Sequence, residues 1–518
     1  MSKNIKKPLK YLKRSKTNTL TQAQKIDEAI EKIPKDIRNV EDLLKNTFEN
    51  SSDLIIRKIS LGRKGRNLSI PVLIIFIDGI IDKKLINSDI IKPLMQQNIS
   101  FNFNALSINE AFLDFLKESL IVNCNIDEIR DFHESIDGIL NGNALVYVDG
   151  IGKALKVSVQ GGNMRSVEEP LTESVVRGPR EGFTESILTN TSLLRRKIKN
   201  SLLRFETLTI GKQTKTEIII CYIKGIANQE IVDEVKRRLN RIKADSILES
   251  GNIEEYIEDA PFSLFPTIAN SEKPDIVASK VLEGRIAILC DGTPFVLTVP
   301  HLFIEVLQAG EDYYSRWVYS LLVRFIRLMA FWISTMIPAY YVALISFHQD
   351  VIPFKLLLTM SASREGIPFS AFSEALIMIF TFELLREAGV RMPRPIGQAI
   401  SIVGALVIGD AAVRAGLVSI PMVVVIAITA ISSFIIPQIA GGLLIIRLLL
   451  LIAANIVGIF GIIIGTLLLF IHMCSLKSFN IPYLSPITPL EASDLKDSFI
   501  RYPIWALLLK PRSFFRKT

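Results

Sequence analysis

Twenty consecutive residues without a charge, Leu328–Phe347 (LMAFWISTMIPAYYVALISF), limit this chain more than any other feature. A helix of roughly 20 such residues matches the hydrocarbon thickness of a bilayer. Further apolar runs follow: IPFSAFSEALIMIFTF from Ile367, IGQAISIVGALVIG from Ile396, LVSIPMVVVIAITAISSFIIP from Leu417 and AGGLLIIRLLLLIAANIVGIFGIIIGTLLLFIHMC from Ala440. A soluble core does not call for so many neighbours of this kind. The residues before them carry interspersed charges and short strand-like and helix-like segments. The chain therefore reads as an α+β or α/β duplicated soluble N-terminal region followed by an all-α polytopic membrane domain.

Two internal echoes organise the front region. FIDGIIDKKLINSDIIKPL (Phe76–Leu94) resembles YIKGIANQEIVDEVKRRL (Tyr222–Leu239), and ILNGNALVYVDG (Ile139–Gly150) resembles VLEGRIAILCDG (Val281–Gly292). Both pairs lie about 145 residues apart and keep their order, the mark of a repeated supersecondary plan. In each unit a strand, a Gly turn and an amphipathic helix are followed by a strand ending in Asp-Gly, a hairpin signal. The expected boundaries are a basic, mostly disordered tail over 1–52, subdomain 1 over 53–175, a basic linker and helix over 176–202 and subdomain 2 over 203–310. The transmembrane helices then occupy 311–474 and a cytoplasmic tail 475–518.

Net charge is +8, with seven Lys/Arg among the first 16 residues. That arm reads as a solvated tail or as one drawn to an anionic membrane surface. No apolar run follows closely enough to make a secretory signal. The four cysteines (Cys124, Cys221, Cys290, Cys474) lack CxxC spacing and read as free, buried thiols. Four scattered histidines give a metal site little support.

Positive charges flank the apolar runs on one side. Arg316, Arg324 and Arg327 precede the first, Arg386, Arg391 and Arg394 follow the second, and the C-terminal stretch is basic. By the positive-inside rule the front region and both termini are cytoplasmic, which requires an even number of crossings. Six crossings need the last run to split near Gly458 and Gly461. Ionisable residues within the runs are the best functional pointers, because a charge at mid-bilayer must face protein or water. They are Glu374, Glu383, Asp410, Arg414 and Arg447. Helix capping competes for Glu383 and interfacial pairing for Asp410 with Arg414, whereas Glu374 and Arg447 point to a polar path or a subunit contact.

The run from Ile396 is rich in small residues, which allow close helix packing. It could also enclose a narrow pore, with Gln398, Ser401, Ala405 and Ile408 on one stripe. The basic block offers Arg177, Arg180, Glu181, Arg195 and Arg196 as a partner-docking surface, against a solvated linker helix. No nucleophile with base, phosphate loop or metal cluster emerges, so an enzyme is not expected and no cofactor is called for. Three functions compete: a receptor and channel-forming subunit, a secondary transporter that binds substrate within the membrane domain, and a scaffold.

Several stretches resemble the A-subunits of spore germinant receptors, the GerA family of endospore-forming bacteria. They are VRGPREGFTES with the following SLLRRKIK (Val176–Lys199), GRIAILCDGTPFVLTVP (Gly284–Pro300), EDYYSRW (Glu311–Trp317), FELLREAGVRMPRPIGQAISIVGALVIGDAAVRAGLVS (Phe382–Ser419) and PYLSP (Pro482–Pro486). The resemblance implies a nutrient-sensing receptor in the inner membrane of the spore, with a cytoplasmic N-domain. It also implies a transporter-like B-subunit and a lipoprotein C-subunit as partners, and a homo-oligomer around an ion path. Asp410 departs from the family, which more usually has Gln there.

Overall fold

The computed structural model describes residues 32–49, 51–61, 70–95, 110–123, 125–161, 170, 173, 175–391, 409–490, 495–498, 500–503 and 505. Two compact units divide the chain. One comprises Met1–Glu169, Glu181–Ala227 and Glu272–Val296; the other comprises Pro170–Arg180, Asn228–Ser271 and Leu297–Thr518.

Helix α1 (Ile37–Phe48) begins at Asp36, whose carboxylate accepts from Arg38 N, and buries Val40, Leu44 and Phe48. The four-residue spacing puts these three on one helix face, and the Asp cap satisfies a donor that the first turn leaves open. Strands β1 (Leu54–Leu61), β2 (Ile70–Ile77), β3 (Ile126–Ile129), β4 (Asn143–Val148) and β5 (Ala154–Ser158) follow, with helix α2 (Phe132–Leu140) before β4. They form one sheet in the order β1-β2-β4-β5-β3. Every pairing in it is antiparallel, which makes the subdomain α+β. β4 is buried along its whole length and β2 along all but Pro71, as apolar central strands should be.

The plan then repeats. Helix α3 (Ile187–Lys197), strands β6 (Leu203–Ile210) and β7 (Thr216–Ile223), helices α4 (Gln229–Arg241) and α5 (Ser250–Ile257), strand β8 (Ala269–Ser271), helix α6 (Pro274–Leu282) and strands β9 (Ile286–Cys290) and β10 (Val296–Val299) come in that order. Their sheet runs β6-β7-β9-β10-β8, the first order with every label advanced by five.

The Asp-Gly echo does more than turn a hairpin. Asp149 Oδ1 accepts from Ile37 N at 3.1 Å, and Asp291 Oδ1 accepts from Ile187 N at 3.2 Å. Gly150 N donates to Lys35 O at 2.9 Å, and Gly292 N donates to Glu185 O at 2.8 Å. In each repeat the closing hairpin therefore caps the opening helix. Both glycines sit at positive φ (86° and 88°), where an L side chain is strained.

In the second unit, apolar helices follow: α7 (Trp317–Phe347), α8 (Phe354–Arg364), α9 (Ala371–Arg391), α10 (Ile420–Phe434), α11 (Ala440–Val457) and α12 (Ile459–Ser475). Among the described residues, Trp317–Phe347 and Pro437–Val457 are long and apolar enough to cross a membrane, while α10 and α12 are apolar but shorter. The last apolar run does split, at Gly458 (φ 67°). A Cβ there would lie 2.7 Å from His348 Cε1, so the α11–α12 turn closes against the end of α7. At Gly461 a Cβ would come 2.1 Å from Ala453 O, so only glycine permits this approach of the two helices.

The segment after α12 is packed. Ser478 Oγ donates to Thr267 O at 2.6 Å, Phe479 N donates to Asp259 Oδ2 at 2.7 Å, and Tyr483 is fully buried. Cys221 and Cys290 are buried as expected, whereas Cys474 is exposed.

Candidate functional site: charges buried among apolar helices

Arg447 sits seven residues into α11 with only 2 % of its side chain exposed. Its Nε donates to Ser334 O in α7 at 2.7 Å. Sequence explains the availability of that carbonyl. Pro338 lies four residues further along α7 and has no N–H to offer it. Without a second donor the carbonyl would be left bare among apolar side chains, at a cost of a few kcal/mol. Arg447 supplies that donor. Its Nη1 also lies 3.8 Å from Glu383 Oε1 in α9, and Glu383 Oε2 is paired with Arg386 at 2.8 Å. One guanidinium thus ties α11 to the proline break of α7 and to the acid of α9.

Glu374, at the start of α9, is completely buried. Its Oε2 accepts from Ser419 N at 3.0 Å and from Ser419 Oγ at 2.8 Å, and its Oε1 lies 3.2 Å from Arg364 Nη2. Ser419 is the N-cap of α10. The carboxylate therefore fixes the start of α10 against α9 and the end of α8, complementing the positive end of the α10 dipole.

Asp410 and Arg414, candidates for buried charges, are exposed, as the competing reading of an interfacial ion pair expects. They pair at 2.9 Å as an i,i+4 couple, and their side chains are 56 % and 79 % exposed. Such a pair is held by helix spacing alone. The pore candidates Gln398, Ser401, Ala405 and Ile408 lie outside the described residues.

The basic block divides. Arg195 is not a docking residue: it is 1 % exposed, with Nε 2.9 Å from Asp53 Oδ2 and Nη2 3.0 Å from Asp53 Oδ1. Nη1 also donates to Asn200 O, and Nη2 to Leu203 O. Ser51 Oγ donates to Asp53 Oδ1 at 2.7 Å and accepts from Phe205 N at 3.1 Å. Arg195 therefore locks β6 and α3 to the start of β1. Arg196, one residue on, is exposed because adjacent helix positions point to different faces. Glu181 is exposed and pairs with Lys197 at 3.0 Å. In the second unit Arg177 and Arg180 are exposed, and the chain beside them is pinned: Val176 N donates to Glu311 Oε1, and a Cβ on Gly178 would strike the Tyr314 ring at 2.8 Å.

A third buried network had not been anticipated. Asp312 Oδ2 meets Arg324 Nε at 3.1 Å and Arg327 Nη1 at 2.7 Å. Arg324 Nη1 also reaches Asp497 Oδ1 at 3.0 Å, and Tyr313 OH donates to Asp497 Oδ2 at 2.8 Å. The three-residue spacing of Arg324 and Arg327 was the available signal, since it places both on one helix face. It also alters the charge count that oriented the chain. Of the three arginines before the first apolar run, two are neutralised internally and Arg316 alone is exposed.

The chain is thus a two-part protein: a repeated α+β region ahead of apolar helices clamped by buried ion pairs. It matches the family described as Bacillus/Clostridium GerA spore germination protein over residues 42–513. It is 45 % identical over 471 residues to Spore germination protein KA of Bacillus subtilis (strain 168), covering 90 % of this chain and 85 % of that one. Spore germination protein B1 of the same organism is 38 % identical over 481 residues, with 92 % and 97 % covered. The chain belongs to the GerA family of spore germination proteins. Among solved structures, the crystal structure of the N-terminal domain of the A subunit of the Bacillus megaterium spore germinant receptor GerK3 is 36 % identical, with a TM-score of 0.41. It covers 53 % of this chain and 98 % of that one.

Proposed function

We propose that the chain is an A-type membrane subunit of a nutrient-sensing spore germination receptor, and that it oligomerises to couple germinant detection to ion release. Family membership along nearly the whole chain carries this reading. The helical region supports a membrane location. Leu449, Ile456, Phe460, Ile463, Leu467 and Leu468 on α11 and α12 are more than half exposed, and soluble monomers rarely show so large an apolar face.

The contacts of the second unit support a multi-pass path. The end of α7 meets the α11–α12 turn, the starts of α9 and α10 share Glu374, and α11 returns alongside α7 and α9. With α7, α9, α10, α11 and α12 as transits, the run from Ile396 completes an even set of six. The front region and both termini then face the cytoplasm, in the spore's inner membrane. A transporter-like B-subunit and a lipoprotein C-subunit are the expected partners, and no enzymatic role is assigned.

Purified protein in planar bilayers tests the reading. Ion currents from an oligomer support it, substrate counterflow supports a transporter, and neither would leave a scaffold.

A further inference from the structure

The first turns of α7 expose apolar side chains: Val318, Tyr319, Leu322 and Phe325 are all more than half exposed. An open groove of about 810 Å3 runs along them, walled on one side by Ile500. Its charged lining consists of Arg316 and Arg324. Arg316 is exposed at the head of the helix, while Arg324 is 2 % exposed. Arg324 Nε and Nη1 are taken by Asp312, Asp497 and Ser498 O, but its Nη2 is buried without an acceptor among the described residues. An exposed arginine at the head of an apolar groove, with a second guanidinium in the lining, asks for an anionic group with an apolar tail. Trp317 and Tyr319, in the first turn of the same helix, are exposed, as aromatic side chains are at the headgroup level of a membrane.

We infer that this groove holds one anionic phospholipid, its phosphate on Arg316 at the head of the helix and an acyl chain along Leu322, Phe325 and Leu328. The volume lies within the range of roughly 300–1,000 Å3 common to ligand sites. Arginine is also the side chain best shaped for phosphate oxygens. The site rests on the membrane placement proposed above, and it joins the helix entry to the C-terminal segment through a lipid.

The test uses the full chain purified from membranes and exchanged into phosphatidylcholine vesicles with or without phosphatidylglycerol, with retained lipid counted by native mass spectrometry. Wild-type protein should keep one phosphatidylglycerol. Leu322→Trp, which fills the groove with an apolar ring, and Arg316→Gln, which removes the rim charge, should each weaken retention about tenfold, a difference of the size one good charge-assisted contact makes. Arg324 itself is a poor probe because it holds Asp312 and Asp497. Equal retention by wild type and both variants overturns the site, as does equal retention of phosphatidylcholine. Displacement by inorganic phosphate that is the same with and without Leu322→Trp overturns the lipid in favour of a simple anion. A Leu322→Cys protein that crosslinks to a second copy in place of binding lipid overturns it in favour of a chain–chain contact. Extraction of the protein from membranes by alkaline carbonate would defeat the membrane reading itself, a result distinguishable from loss of lipid alone.

Discussion

Arg195 and Arg447 are both almost fully buried arginines, and the two regions of the molecule satisfy them in opposite ways. In the front region Arg195 has a dedicated acid, Asp53, held fork to fork and supported by Ser51 and two backbone carbonyls. In the apolar helices Arg447 has only a distant acid, Glu383, and its short contact is with a carbonyl that a proline has left bare. The α+β core thus admits a charge by supplying its counter-charge. The helices admit one by leaving a carbonyl without its helical donor at the right turn. The first solution fixes a strand junction, and the second fixes how three helices meet.

The sharpest way to break this comparison is at Arg195. Replacing it with Met strands the Asp53 carboxylate, and losing one partner of a buried pair costs about 3–5 kcal/mol. Thermal denaturation of the full chain should show the first transition fall steeply. Adding Asp53→Leu should recover a large part, because no charge is then left unpaired.

At Arg447 the expected effect is smaller and conditional. Arg447→Met should destabilise the helical region by about 2 kcal/mol, the scale of a lost charge-assisted hydrogen bond to a buried acceptor. Pro338→Ala restores an N–H four residues after Ser334, so Arg447→Met should cost less in that background. A double-mutant cycle in detergent measures the coupling, expected at about 1 kcal/mol. Zero coupling would separate the arginine from the proline.

Acid–base behaviour sharpens the contrast outside the membrane-facing helices. Burial, aided by the neighbouring Glu258, pushes Glu254 in α5 up to about 7. Its folded pKa is above the unfolded one, so its proton favours the folded state and that contribution is lost as pH rises from about 4.5 through 7. Glu254→Gln should therefore raise the melting temperature at pH 8 by the equivalent of about 1–2 kcal/mol, and leave it nearly unchanged at pH 4. An equal gain at both pH values would rule out titration as the cause.

The mildest prediction concerns the repeat. Asp149→Ala and Asp291→Ala should each cost about 1 kcal/mol, the worth of a helix N-cap, and by similar amounts in chemical denaturation. Strongly unequal losses would mean that the two caps, alike in geometry, do not bear alike on stability.

The duplication was legible because its signal is local. Two Asp-Gly steps at matching distance from two similar strands pointed to the repeated hairpin, although not to the helix each aspartate caps, which begins more than 100 residues earlier. The split at Gly458 was likewise visible as one of two glycines able to end a long apolar run. Arg195 was misread because its partner is 142 residues away and its sequence neighbours are basic. A charge run shows its sign in sequence but not which member turns inward. Arg447 stood out as a lone charge in oil. The proline that gives it a partner was equally visible, but in another helix, and no periodicity links the two.

Side-specific labelling of single cysteines is the most direct test of the central claim, that a cytoplasmic repeated region is joined to helices crossing a membrane. Cys474 is exposed and would be replaced first, together with the other native cysteines. Asp350, beyond the end of α7, and Arg196, exposed on the front region, then receive one cysteine each in separate proteins. In intact cells a membrane-impermeant maleimide should label position 350 and reach position 196 only after permeabilisation. Labelling of both positions from the same side would contradict the account.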